Sequence, residues 1–171
     1  DEVEEVLKKA RKDIERWREE TRKVKEENKR NIDRIRKKLE EVLRDLKRAI
    51  DEIRKSNLDR EEVDRVLERL EEKLREMKRR LDENDKRDKE RLKKKNKEME
   101  EERRKIEKEL EDAGARREVL EEIRKLLRDI KETDRKVHEE LERSNEKLRR
   151  EIEKILRDLE DELRKLRRER E

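Results

Sequence analysis

The segment KSNLDREEV at residues 55–63 carries the signals that end one helix and begin the next. Asn57 is of the residue type that can adopt the left-handed backbone conformation found just past a helix end. Asp59 suits the N-cap position, and Glu62 follows it at the capping-box spacing. Leu58 stands immediately before this cap, where a hydrophobic staple begins. The segment therefore predicts a tight turn between two helices.

A second break lies in the segment EDAGARREV at residues 111–119. Gly114, the one glycine of the chain, is the residue type expected directly after a helix end. No Ser, Thr, Asp or Asn caps the following helix, so the sequence locates the start of that helix only to within one or two residues. Asp1 and Glu4 repeat the capping-box spacing at the start of the chain. These signals predict helices over residues 2–55, 59–112 and 116–170.

The composition combines extreme polarity with nearly balanced charge. Of 171 residues, 67% are charged and 26% hydrophobic, and 59 Lys and Arg oppose 55 Asp and Glu. Such polarity is typical of disordered chains, but abundant Glu, Lys, Arg and Leu with regularly spaced apolar residues is typical of long helices. The absence of Cys excludes disulfides and Cys-ligated zinc. No apolar run approaches the roughly 18 residues of a membrane span, and no targeting signal is recognisable, so we expect a soluble protein suited to recombinant cytoplasmic expression.

Apolar residues recur at alternating steps of three and four along all three predicted helices. Sustained spacing of this kind predicts helices that pack as in a coiled coil. Three helices of about 54 residues joined by two short turns predict an all-α, up-down-up three-helix bundle, with residues 1–171 as one domain. The apolar pattern thins out in the central part of each helix, and the segment 82–97 contains a single apolar residue, Leu92.

Polar residues occupy several positions of these apolar stripes. Because the two turns set the register, residues of the first and third helices that differ by about 113 in number are expected at one level. The polar residues that this register brings together are Asn31, Asn84, Ser144 and Asn145 at one level, Asn28 and Asp88 at a second, and Thr21, Asn96 and Asp134 at a third.

This alignment predicts buried hydrogen-bond networks that are fully paired across the three helices. A buried polar group without a partner costs roughly 1–3 kcal/mol, so polar residues scattered at random on apolar stripes would not be expected to coincide. Such networks would disfavour slipped registers and other oligomers. The alternative is that some of these residues, chiefly Thr21 and Asp88, face solvent.

His138 is the one histidine, and Asp134 stands one helical turn before it. This pair could orient a general base or start a metal site. A metal site needs three or four converging ligands, however, and the chain has no second His and no Cys. We therefore expect His138 to belong to a polar network or to flank one, and we expect no catalytic residue, no metal and no cofactor.

The run Lys86–Lys97 contains eight basic and two acidic residues, which could contact nucleic acid or anionic lipid. No aromatic residue interleaves it, as single-strand binding would favour. The acidic segment HEELE at residues 138–142 is expected at the same level and could pair with it. We therefore predict that the lysines and arginines of the run form a solvated flank that binds neither nucleic acid nor membrane. Trp17 is expected in the core near Met99 and Ile130.

The whole chain resembles computationally designed, de novo antiparallel helical bundles with buried hydrogen-bond networks. The shared features are capped helices of equal length, the minimal turns SNLD and DAGA, surfaces of Glu, Lys and Arg, the lack of Pro and Cys, and polar residues in core layers. The resemblance implies a structural scaffold with no natural biochemical activity. A looser similarity is to spectrin-type three-helix repeats, from which this chain departs in its longer helices and near absence of aromatic residues.

Three hypotheses about function follow. The first is a designed scaffold that folds as a monomer and requires no partner. The second is a designed association module that forms a homo-oligomer or binds a helical partner. The third is a natural spacer of the spectrin type.

Overall fold

The computed structural model describes residues 1–169, which form three long helices and two short connections. The helices are α1 (Glu2–Lys55), α2 (Arg60–Asp112) and α3 (Arg117–Glu169), and no strand occurs among these residues. The predicted all-α, three-helix bundle with helices of nearly equal length is therefore confirmed. α1 has the predicted bounds, while α2 and α3 each begin one residue later than predicted. The predicted end of the third helix, at residue 170, lies outside the described residues.

The first connection, residues 56–59, is capped as the sequence predicts. The Asp59 carboxylate accepts a hydrogen bond from the backbone N–H of Glu62 (2.9 Å), one of the donors left open at the start of α2. Leu58 is half-buried against apolar core residues. The prediction of a left-handed Asn57 was wrong, since no non-glycine residue in the described part of the chain has a positive φ. The chain instead reverses over four non-helical residues, so no single left-handed residue is needed.

Gly114 ends α2 with a left-handed backbone, at φ 76°. Its N–H donates to the carbonyl of Glu111 (3.0 Å), and the N–H of Ala115 donates to the carbonyl of Leu110 (2.9 Å). These two bonds define a Schellman motif. Leu110 is fully buried and Ala115 packs against the same apolar cluster, which is the hydrophobic contact that accompanies this motif. Glycine adopts this φ without steric cost, which explains its place at the turn.

The described chain falls into two compact units, each of which takes a segment from all three helices. The first unit contains Asp1–Asn28 together with Lys86–Glu142. The second unit contains Lys29–Asp85 together with the part of α3 that begins at Arg143. That residues 1–171 form a single domain stays a prediction, which the division into two units does not test.

In the first unit, α1 and α3 run parallel and α2 runs antiparallel to both. Contacting residues of α1 and α3 rise in number together, and Thr21 and its partner Asp134 differ by 113, as the register predicts. Contacting residues of α2 fall in number as those of α1 rise. The contacts that define this order are Thr21–Asp134 and Lys25–Glu140 between α1 and α3, and Arg16–Glu98 and Glu20–Arg91 between α1 and α2.

Apolar residues of all three helices fill the interior of the first unit in two clusters. The larger cluster contains Trp17 together with Met99 and Ile130, as the sequence predicts. The smaller cluster is separate from it. The buried members are Ala10, Ile14, Trp17, Met99, Ile106, Leu110, Ile123, Leu127 and Ile130 in the larger cluster, and Val24, Leu92, Val137 and Leu141 in the smaller one.

The second unit has the same helix order and one continuous apolar core. The contacts of Arg36 with Glu151 (3.1 Å) and of Arg54 with Glu162 (2.8 Å) rise in number together, which shows that α1 and α3 are parallel. The buried core residues are Ile32, Ile35, Leu39, Val42, Ala49 and Ile53 from α1, Val63, Leu67, Leu70, Leu74, Met77 and Leu81 from α2, and Leu148, Ile152, Leu159, Leu163 and Leu166 from α3.

Candidate functional site

Each helix of the first unit contributes one buried polar residue to a common contact: Thr21 from α1, Lys95 from α2 and Asp134 from α3. Their exposed fractions are 4%, 4% and 3%. The Thr21 hydroxyl donates to Asp134 Oδ1 (2.6 Å), and Lys95 Nζ donates to both Thr21 Oγ1 and Asp134 Oδ1. We call this set the Lys95 cluster. It joins all three helices of the first unit through charged and polar atoms.

The sequence positions of the three residues explain why they point inward. Thr21 follows Trp17 by four residues, and Asp134 follows Ile130 by four. Lys95 lies three residues after Leu92, which is also a core step. Because residues three and four apart share one helix face, each polar residue continues a buried apolar stripe.

The hydroxyl of Thr21 has two acceptors within reach and one proton to donate. Its oxygen lies 2.6 Å from Asp134 Oδ1 and 3.2 Å from the backbone carbonyl of Trp17. A hydrogen bond to a carboxylate is stronger than one to a neutral carbonyl, so the proton belongs with Asp134. Thr21 thus accepts from Lys95 and donates to Asp134, and it connects the ammonium to the carboxylate by a second route.

Burial lowers the pKa of Lys95, because loss of hydration penalises the charged ammonium. The hydrogen bond and charge of Asp134 act in the opposite direction, as does the charge of Glu20. The net lowering means that the protein interior holds the ammonium less readily than water does. Removal of one charged partner would therefore leave the other charge buried, with its desolvation cost no longer compensated.

The prediction of fully paired networks was wrong. Within residues 1–169, the buried atoms Asp134 Oδ2, Asn28 Oδ1, Asn96 Oδ1 and Asn145 Oδ1 have no hydrogen-bond partner, and neither does the buried Trp17 Nε1. Shared level along the bundle therefore does not guarantee that both ends of a side chain meet a partner.

The structure separates the ten polar residues predicted for the core into two groups. Their exposure also shows that the solvent-facing alternative for Thr21 and Asp88 was wrong, because both are buried. The buried group is Thr21, Asn28, Asp88, Asp134 and Asn145, and the half-buried group is Asn31, Asn84, Asn96, His138 and Ser144.

The level predicted around Asn145 has a different partner from those expected. Asn145 is 1% exposed, and its Nδ2 donates to Asp85 Oδ1 of α2 (2.6 Å) in the second unit. No hydrogen bond joins Asn145 to Asn31, Asn84 or Ser144 in the described structure. A carboxylate is a stronger acceptor than an amide oxygen, and Asp85 stands next to Asn84 on the helix.

The prediction that the basic run Lys86–Lys97 is a solvated flank was wrong at Lys95, which takes the place beside Thr21 that the register assigned to Asn96. The signal was present in the sequence, since Lys95 falls on the apolar stripe of α2. Other cations of the run pair with acidic residues: Lys89 with Glu142 (3.3 Å), and Arg91 with Glu20 (2.8 Å) and with Glu27.

His138 lies at the edge of the first unit rather than in the Lys95 cluster. It is half-buried, and its Nε2 lies 3.6 Å from Glu142 Oε1, one turn later on α3. Among residues 1–169, no group of three or more His, Asp or Glu side chains is arranged to hold a metal ion. No helix in that part of the chain has a stretch both long and apolar enough to cross a membrane.

No protein-family model and no curated protein matches the sequence. Among solved structures, the chain is similar to one described as a "Computationally designed three helix bundle". The two are 20% identical, the similarity covers 99% of this chain and 82% of that one, and the TM-score is 0.39. A similarity at this level says nothing about function, and the fold assignment rests on the helices and contacts described above.

Proposed function

We propose that the chain is a de novo designed structural scaffold, in which polar core residues specify how the helices pair. The observation that carries the proposal is the Lys95 cluster, where three buried polar residues from three helices bond to one another. A designed origin is supported by idealised local structure: an Asp N-cap at the first turn, one glycine in a Schellman motif at the second, and a surface of balanced charge.

The cluster favours one register because neighbouring registers offer it poor partners. A shift of one heptad would bring Lys95 to the level of Ile14 and Leu127, which are both apolar and buried. A shift in the other direction would bring it to Asn28 and Leu141, neither of which carries a negative charge. Either shift would leave a buried ammonium without a carboxylate, which is costly. The native register is the one that supplies Asp134.

Enzymatic activity is not part of this proposal, and no cofactor, nucleic acid or membrane is required. Lys95, the one buried amine among residues 1–169, is bonded on two sides and 4% exposed. His138 has a carboxylate neighbour on its own helix but no nucleophile bonded to it. These contacts support a structural role for the polar residues.

A second candidate is an association module. Leu43 is the one large apolar side chain that is exposed among residues 1–169, at 39%, and Ile50 and Leu156 of the second unit are half-buried. These partly exposed apolar side chains could be covered by a second copy or a helical partner. Sedimentation equilibrium separates the two candidates: a monomer mass at micromolar concentration supports the scaffold, and a dimer mass supports association. The natural spacer remains an alternative with no such observation in its favour.

Crosslinking of introduced cysteines with a short bismaleimide tests the register role directly, because the chain has no native cysteine. Arg16 and Glu98 lie 3.4 Å apart on α1 and α2, so R16C/E98C reports the native register. R16C/K105C reports a register in which α2 is shifted by one heptad. We expect only the native pair to crosslink in the otherwise unchanged chain. In the background T21V/K95M/D134L, the shifted pair should gain crosslinking. A shifted pair that stays silent in that background would show that the cluster does not specify the register.

A further inference from the structure

We propose that the Lys95 cluster makes the first unit acid-sensitive: when the Asp134 carboxyl takes up a proton, the first unit opens around Lys95 while the core of the second unit stays closed. This property goes beyond the register role, and it would hold whether or not the chain was designed. It follows from which charges are buried, which are paired, and in which unit they lie.

The geometry gives Lys95 a single carboxylate partner. Lys95 and Asp134 are both 3% exposed at the side chain, and Asp134 Oδ1 receives the hydrogen bonds of both Lys95 and Thr21. Thr21 carries no charge. Within the described residues no other carboxylate bonds to the Lys95 amine. Protonation of Asp134 therefore removes the whole bonded negative charge and leaves a buried ammonium beside a neutral acid.

The surrounding charges do not replace the one that is lost. Glu20 of α1 acts on Lys95 at longer range, but its carboxylate is bonded to Arg91 (2.8 Å). Arg91, one turn from Lys95 on α2, adds positive charge on the same side. On α3, His138 lies one turn after Asp134 at the edge of the first unit, where its nearest carboxylate is that of Glu142. Asp88 of α2 is buried two turns from Lys95.

The second unit lacks a comparable group. Among its described residues, Asn145 is the one polar side chain that is buried, and it has no charge in either state. Its interior is a continuous apolar cluster from all three helices. Acid protonates surface carboxylates there, and exposed ion pairs contribute little to stability. The difference in buried charge predicts that the two units respond to acid at different pH.

Hydrogen exchange followed by mass spectrometry of the full chain tests this proposal. Protection factors, which correct for the intrinsic effect of pH, are compared between neutral and acidic solution. We expect protection to fall at least about tenfold over residues 17–24, 92–99 and 130–137. Over residues 67–81 and 148–159, it should change less. A uniform loss over both sets of segments, or no loss near Lys95, would overturn the proposal.

Two variants locate the effect at the cluster. Asp134→Asn cannot carry the negative charge, so its first unit should be open at neutral pH and should lose no further protection in acid. T21V/K95M/D134L has no buried ammonium that acid could leave without a carboxylate, so its first unit should keep its protection in acid. If Asp134→Asn is as protected as the unchanged chain at neutral pH, the proposal is wrong. The comparison of Asp134→Asn with the unchanged chain tests the proposal even if T21V/K95M/D134L does not fold.

A matched control replaces an exposed pair between the same two helices. Lys78 and Glu153 lie 3.0 Å apart, with side chains 35% and 40% exposed. K78M/E153L should leave the acid response around Lys95 unchanged. If it removes that response, the acid sensitivity comes from surface charge and not from the cluster.

Discussion

Lys95 of α2 and Asp134 of α3 form an ion pair in which each side chain is 3% exposed. Lys78 and Glu153 join the same two helices at the surface, where both side chains are accessible to water. An exposed pair contributes about 0–1 kcal/mol. Truncation of one partner of a buried pair leaves an uncompensated charge, at a cost of about 3–5 kcal/mol. Removal of one partner is therefore expected to cost more stability in the Lys95–Asp134 pair than in the Lys78–Glu153 pair, although both are Lys–carboxylate contacts.

Lys95→Met should lower the free energy of unfolding by about 3 kcal/mol, because it leaves the Asp134 carboxylate buried without its cation. Urea unfolding of the variant and the unchanged chain measures the difference. Lys78→Met is the control and should change the same quantity by less than about 1 kcal/mol. Equal effects at the two lysines would contradict the burial of Lys95.

The double variant K95M/D134L should be more stable than the sum of its two single variants predicts. Removing both charges replaces a polar contact with apolar packing, which is often neutral or stabilising. A double-mutant cycle by urea unfolding measures the coupling between Lys95 and Asp134, which we expect to be about 1 kcal/mol or more. Strictly additive effects would show that the two side chains do not interact.

Asn145→Leu should destabilise the second unit by about 1 kcal/mol, since it removes the 2.6 Å hydrogen bond from the buried Asn145 amide to Asp85. Asn84→Leu is the matched control, because Asn84 is half-buried on the neighbouring helix and makes no hydrogen bond in the described structure. Thermal unfolding should show little change for Asn84→Leu. The opposite ranking would mean that Asn84, not Asp85, is the partner of Asn145.

The stability gained from Lys95 should increase in alkaline solution. Burial lowers the pKa of Lys95, while the unfolded chain keeps the ordinary lysine value of about 10.4. Between these two values the unfolded state binds more protons than the folded state, so the free energy of unfolding rises with pH. Its difference between the unchanged chain and Lys95→Met should therefore grow in favour of the unchanged chain. A difference that stays constant with pH would contradict the lowered pKa.

Gly114→Ala should cost about 1 kcal/mol, because a residue with a Cβ is strained at φ 76° even where the space around it is open. Asn57→Gly is the contrasting change. Asn57 does not have a positive φ, so glycine relieves no strain there and should bring no stabilisation. Calorimetric melting of both variants measures the two changes in stability. A stabilised Asn57→Gly would mean that the first turn uses a left-handed residue.

The helices and turns could be predicted from local sequence because each depends on local chemistry. The Asp59 cap, the Gly114 motif and the alternating apolar steps act over a few residues, and the structure places all three as predicted. The offset between α1 and α3 could be predicted as well, since two short turns leave little freedom. Thr21 and Asp134 accordingly meet in the structure.

The composition of the buried polar contacts was harder to predict. Lys95 was assigned to the solvated flank because lysine is rarely buried, although its position on the stripe pointed inward. Its long side chain reaches two partners that the shorter Asn96 does not. Asp85 could not be predicted as a partner because it lies beside the apolar stripe of α2 and not on it. Its carboxylate nevertheless reaches Asn145 on the neighbouring helix α3.

The most direct test of the Lys95 cluster is an NMR measurement of the Lys95 side-chain amine in neutral solution at low temperature, with ¹⁵N-labelled lysine. The account predicts one amine signal that is protected from solvent exchange, shows contacts to Thr21 and Asp134, and disappears in Lys95→Met. If all lysine amines exchange at the same fast rate, Lys95 is in solvent, and the cluster can neither specify the register nor make the first unit acid-sensitive.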